Sequence, residues 1–192
     1  SKQVAALMTI TGLIDAPKAD KEFLSINGAQ GFSTFYGYYM LEAMATAGNY
    51  QGALDVIREY WGAMIDLGAT SFWEDFDINW IPNATPIDEL VPEGKKDIHG
   101  DCGAYCYVGF RHSLCHGWAS GPTSWLSRHI LGVEVIEPGC RQVRITPHLG
   151  DLQWVKGTFP TPYGEIQIYH EKQANGNVIS EVKAPNGVSV IK

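Results

Sequence analysis

Near residue 133 the chain changes its hydrophobic period, and that change limits the folds open to it. Upstream, apolar residues recur at helical spacing: Val4, Ala5, Leu7 and Met8 before Gly12, then Phe32 to Ala47, then Tyr50 to Leu67. The last two segments are separated only by Gly48 and Asn49, the pattern of two antiparallel helices joined by a tight turn. Within Tyr50 to Leu67, the residues Leu54, Ile57, Trp61, Met64 and Ile65 form the expected core stripe. Downstream of Glu134 the pattern alternates, in Val143-Ile145, Leu152-Val155, Glu165-Tyr169 and Val178-Val182, with a last strand over Val188-Ile191. Turn residues such as Asn175-Gly176 separate these runs. Helices followed by strands predict two segregated units, a helical one over 1–133 and a small antiparallel β-sandwich over 134–192.

Between the third and fourth helical segments lies an interruption from Ser71 to Gly121, punctuated by Pro82, Pro86, Pro92, Gly94, Gly100 and Gly103. A loop of this length inside a compact unit is uncommon and usually serves function. Helical pattern resumes over Thr123 to Leu131, with Pro122 where a first turn accepts proline. Four or five helices around so long a loop make a poor closed bundle, so the helical unit is expected to be completed by preceding sequence.

Composition excludes several classes of function. Of 192 residues, 45% are hydrophobic, enough for a packed core. No apolar run approaches the roughly 20 residues of a membrane span, so the chain reads as soluble, without indicating a compartment. A net charge of -7 without clustered Lys and Arg argues against a nucleic-acid partner. The four cysteines, Cys102, Cys106, Cys115 and Cys140, are too few for a disulfide scaffold. Cys102 and Cys106, with His99, His112 and His116 nearby, lack the paired ligand spacing of a structural zinc site, and neither a metal nor a cofactor is expected.

Two clusters in the long loop carry the chemistry. In the first, Gly68 to Asp77, the acids Glu74, Asp75 and Asp77 sit among Phe72, Trp73 and Phe76. Glycosidic hydrolysis needs two carboxyl groups about the scissile bond, and Glu74 is the natural candidate for one. Spacing alone favours a plainer reading, in which Thr70 or Ser71 caps a helix and Glu74, as the partner three residues later, completes a capping box. Asp75 and Asp77 read as solvated or helix-start acids. The second cluster runs from His112 to Pro122, where His116 can hydrogen-bond a sugar and Trp118 can stack on one.

Together with Val143 to Leu152, which reads Val-Arg-Ile-Thr-Pro-His-Leu-Gly-Asp-Leu, the two clusters resemble the C-terminal region of bacterial α-L-rhamnosidases, inverting glycoside hydrolases of family 78. The resemblance implies that 1–133 are the last helices of an (α/α)6 barrel, followed by a β-sandwich domain. It implies Glu74 as the general base, with His116, Trp73 and Trp118 about the sugar and Trp73 desolvating the base. It further implies a rhamnose-containing glycoside or polysaccharide as substrate, and a general acid in a missing N-terminal part of the same protein. A fragment without that acid is expected to be inactive. Related barrels acting on fucosides or glucosides remain an alternative. So does a non-catalytic carbohydrate-binding or structural module presenting Trp154, Phe159 and Tyr163.

Overall fold

The computed structural model describes residues 1–98 and 113–191. Its internal contacts divide the chain into two units, Ser1–Pro122 and Thr123–Lys192.

Helices form the frame of the first unit. Helix α1 spans Lys2–Ile10, and α2, Ala16–Ala19, runs on as a wider π-type turn over Asp20–Leu24. Asp15 caps α2 by accepting the Lys18 N–H at 3.0 Å, and Pro17 occupies the first turn, where its missing N–H costs nothing. Helices α3, Tyr36–Thr46, and α4, Tyr50–Asp66, form the expected hairpin, with α1 packed on α3. The turn between them uses Gly48 at φ +78°, and Asn49 caps α4 by accepting the Gly52 N–H at 2.9 Å.

The buried stripe of α4 is rotated from the expected one. Leu54, Trp61 and Met64 are buried, but Val56 and Tyr60 are buried beside them while Ile65 is 69% exposed. Tyr60 decides this register. Its ring meets Trp61 and Phe76 edge-on, at centroid distances of 4.9 and 5.3 Å, and its hydroxyl donates to the Phe76 carbonyl. α3 also begins later than expected, since 32–35 precede the helix rather than belong to it.

After α4 the chain leaves regular structure. Gly68, at φ +91°, turns it under Ile87 and Asp88. The described residues of the stretch that follows hold two short turns of 3-10 helix, Ile78–Trp80, capped by Asp77, and Gly117–Ala119, and a two-residue parallel pair, β1 Ala84–Thr85 with β2 Lys96–Asp97. Helix α5, Gly121–Trp125, continues as a π-type turn over Leu126–Ile130.

In the second unit the strands fall into two sheets of three. β3 (Val133–Val135), β4 (Gln142–Ile145) and β8 (Ser189–Ile191) form one; β5 (Trp154–Thr161), β6 (Gly164–Lys172) and β7 (Val178–Lys183) form the other in that order. The expected all-antiparallel arrangement is corrected in one place: β4 and β8 pair in parallel, Val143 opposite Val190. β5 runs on through Pro160, which an edge strand tolerates because one side of its ladder is unpaired. Val133, Val143 and Ile145 from one sheet meet Ile166 and Ile168 from the other in a shared core closed by Leu131. His170 is wholly buried there, its Nδ1 2.7 Å from Ser180 Oγ and its Nε2 3.1 Å from the Leu131 carbonyl. A neutral imidazole satisfies both, donating from Nε2 and accepting at Nδ1.

Candidate active site

Glu74 lies on irregular backbone. No helix starts at Ser71 in this structure, so the capping-box reading of Glu74 is overturned. Its partners lie much further along the chain. The Glu74 N–H donates to the Ser113 carbonyl at 2.9 Å, and the His116 N–H donates to the Phe72 carbonyl at 2.7 Å. These two bonds zip the two expected clusters together in an antiparallel sense.

The same pairing fixes the carboxylate. The Ser113 N–H donates to Glu74 Oε2 at 2.8 Å, and His116 Nδ1 stands 3.8 Å from that oxygen. The Glu74 main-chain carbonyl accepts two more bonds, from Trp118 Nε1 at 2.7 Å and from Thr34 Oγ1 at 2.5 Å. Backbone and side chain of one residue are thus held by two separate stretches of sequence, Thr34 and residues 113–118. The Glu74 side chain keeps only 12% of its surface exposed.

Around it stand the aromatic groups. The His116 ring lies 4.3 Å from that of Trp118, tilted by 43°, and Phe35 approaches Trp118 from a second direction at 5.7 Å. Trp118 remains 46% exposed while its indole N–H is occupied, so its ring is open to a ligand and its polar edge is not. Trp73 sits differently. It is fully buried, 6.0 Å from Phe76, and its indole N–H has no hydrogen-bond partner among the described residues.

The structure therefore brings Glu74, His116 and Trp118 together and places Trp73 in the core next to them, without an accessible face. Thr34, Ser113 and Phe35 belong to the same constellation and were not singled out by their sequence. Thr34 falls inside the helical run expected over Phe32 to Ala47, which hides a hydroxyl that bonds 40 positions away.

Among the described residues no group of three His, Cys, Asp or Glu gathers as metal ligands, and no helix is long and apolar enough to cross a membrane. Cys102, Cys106, His99 and His112 lie outside the described residues. Cys115 and Cys140 are free thiols.

A carboxylate held on one oxygen by a backbone N–H, beside an imidazole and an open indole face, suits proton transfer on a polyhydroxylated ligand. Residues 132–191 match the family model described as the bacterial α-L-rhamnosidase C-terminal domain. Three solved structures resemble the chain over 99% of its length. They are a family 78 rhamnosidase of Bacillus sp. GL1 (26% identity, TM-score 0.73), the α-L-rhamnosidase of Aspergillus terreus (20%, 0.76) and that of Streptomyces avermitilis complexed with L-rhamnose (18%, 0.73). The chain covers 18%, 21% and 18% of them, about a fifth of their length. No curated protein matches. Residues 132–191 are thus similar to the bacterial α-L-rhamnosidase C-terminal domain, and the chain as a whole resembles part of the solved α-L-rhamnosidases.

Proposed function

We propose that this chain is the C-terminal part of an inverting α-L-rhamnosidase, in which Glu74 is the general base. In this reading 1–133 supply the last helices of an (α/α)6 catalytic barrel and 134–192 the β-sandwich behind it. The substrate is a glycoside or polysaccharide bearing a terminal α-L-rhamnosyl unit. Glu74 takes a proton from a water molecule as the water oxygen attacks the anomeric carbon, on the face opposite the aglycone. The bond from that carbon to the glycosidic oxygen breaks, and a second carboxyl group protonates the departing oxygen. Configuration inverts because a single displacement occurs.

The observation that carries the proposal is the clamp on Glu74: Oε2 held by the Ser113 N–H, with His116 and the open face of Trp118 beside it. A base in a single displacement must keep its place while water is activated, and a backbone donor holds the carboxylate without adding a mobile charge. His116 and Trp118 are positioned to bind the sugar, by hydrogen bonding and stacking. Trp73, being buried, shapes the site from behind. Inverting chemistry requires the second carboxyl roughly 6.5 to 9.5 Å from the first, to leave room for the water. We assign that acid to a part of the parent enzyme outside this chain, consistent with the chain covering about a fifth of the rhamnosidases it resembles. The 192-residue chain alone is accordingly inactive.

Glu74→Gln in the full-length parent is the direct test. Loss of a general base lowers the hydrolysis of an aryl α-L-rhamnoside by about 10²- to 10⁴-fold in kcat, with the protein still folded. A variant that retained near-normal turnover would remove Glu74 from the mechanism.

A further inference from the structure

The outer face of the β5-β6-β7 sheet holds a broad depression of about 850 Å³, within the range of small-ligand sites. Strand alternation decides what it presents. Ile166, Ile168 and His170 face the core, which turns Gln167, Tyr169 and Glu171 outward on the central strand. The register sets Lys156, Tyr169 and Glu181 side by side across the three strands, and Thr158, Gln167 and Lys183 in the next row. Trp154 stands two residues beyond Lys156 on the edge strand, with 60% of its surface exposed. Rows two residues apart are separated by about 7 Å and strands by about 4.8 Å, so the face is wide enough for two pyranose rings.

The mixture of side chains selects among ligands. Edge strands are commonly protected by lysine and proline, and Lys156 and Pro160 serve that purpose here, but an open indole does the reverse. Its exposure is a cost unless something stacks on it. Lys156 and Lys183 donate, Glu181 accepts and the Gln167 amide does both. Opposite charges lie within one small area, so a strongly charged ligand meets repulsion as well as attraction. A pyranose carries an apolar C–H face for the indole and hydroxyls that donate and accept at once. We propose that this face is a binding site for a neutral saccharide, with Trp154 as the stacking platform and Lys156, Gln167, Glu181 and Lys183 as hydroxyl partners. The site is independent of the role assigned to Glu74, since every residue in it belongs to the second unit.

Isothermal titration of the 192-residue chain with L-rhamnose, with cellotetraose and with tetragalacturonate as a charged control tests the proposal. Saturable binding of L-rhamnose or cellotetraose is expected, weakened at least tenfold by Trp154→Ala and at least threefold by Glu181→Gln. Circular dichroism of each variant guards against a misfolded sheet, and Trp154→Phe, which keeps an aromatic face, should retain most of the affinity. The proposal is overturned if neither neutral sugar binds. It is equally overturned if only tetragalacturonate binds, or if affinity survives Trp154→Ala.

Discussion

The indole N–H of Trp118 donates to the main-chain carbonyl of Glu74 at 2.7 Å, while the ring of the same tryptophan stays open beside His116. One side chain therefore positions the backbone of the proposed base and also offers a surface for the sugar. These roles are separable by substitution. Trp118→Phe keeps an aromatic ring but removes the donor. Losing a neutral hydrogen bond of about 1 kcal/mol should lower kcat of the full-length parent roughly fivefold, with little change in KM. Trp118→Ala should raise KM as well. Steady-state kinetics on an aryl rhamnoside separates the two outcomes.

Tyr60→Phe tests the support beneath the loop. The Tyr60 hydroxyl is buried and donates to the Phe76 carbonyl, two residues beyond Glu74. Removing it leaves that carbonyl buried without this donor, at a cost of about 1–3 kcal/mol. The midpoint of urea unfolding should fall by a corresponding amount, without a change in slope.

Two glycines in the second unit separate backbone strain from steric collision. Gly132 and Gly139 have similar φ, +77° and +74°, yet a Cβ on Gly132 would stand 2.3 Å from the Thr146 carbonyl carbon, whereas one on Gly139 would meet nothing within 4 Å. Gly139→Ala should cost only the left-handed strain of about 1–2 kcal/mol. Gly132→Ala should cost clearly more, because main chain must move and the 2.9 Å bond from the Thr146 N–H to the Gly132 carbonyl moves with it. Melting temperatures of the two variants, compared with the parent sequence, check the difference.

His148 gives the fold an acid-sensitive point. Burial first, and then the neighbouring His129, hold its imidazole below the ordinary value of 6.5. The folded state thus binds fewer protons than the unfolded chain, so stability rises with pH across the interval from the lowered value up to 6.5 and falls as pH drops through it. His148→Gln should flatten that slope. Chemical denaturation at a series of pH values between 4 and 8, chosen to bracket an ordinary histidine, measures it.

Some of this architecture was legible in the residues and some was not, for reasons that differ by element. α4 was readable to within one residue, because Asn49 caps it and large side chains recur at helical spacing. Which face it buries depended on Tyr60, whose hydroxyl finds the Phe76 carbonyl only in three dimensions. The α2 segment carries its own start signal in Asp15 and Pro17, but an interior of Lys and Asp obscures it. The strands were visible by alternation. The parallel pairing of β4 with β8 was not, since partners such as Val143 and Val190 lie far apart in sequence and no turn between them specifies register. At the site, residue types nominated Glu74, His116 and Trp118, while spacing alone pointed to a helix cap. The bond from Ser113 to Glu74 spans 39 positions and leaves no local trace. Thr34 was obscured in the same way.

The convergence on Glu74 also sets an order of events during synthesis. Its holding bonds come from Thr34, 40 residues earlier, and from Ser113 and Trp118, 39 and 44 residues later. Closing loops of this length costs chain entropy before any contact repays it, so such contacts form late. A growing polypeptide can wind α1, α3 and α4 while it is still being made. The proposed base remains unfixed until residue 118 has left the ribosome, and a chain cut short in the intervening loop would carry Glu74 with nothing to aim it.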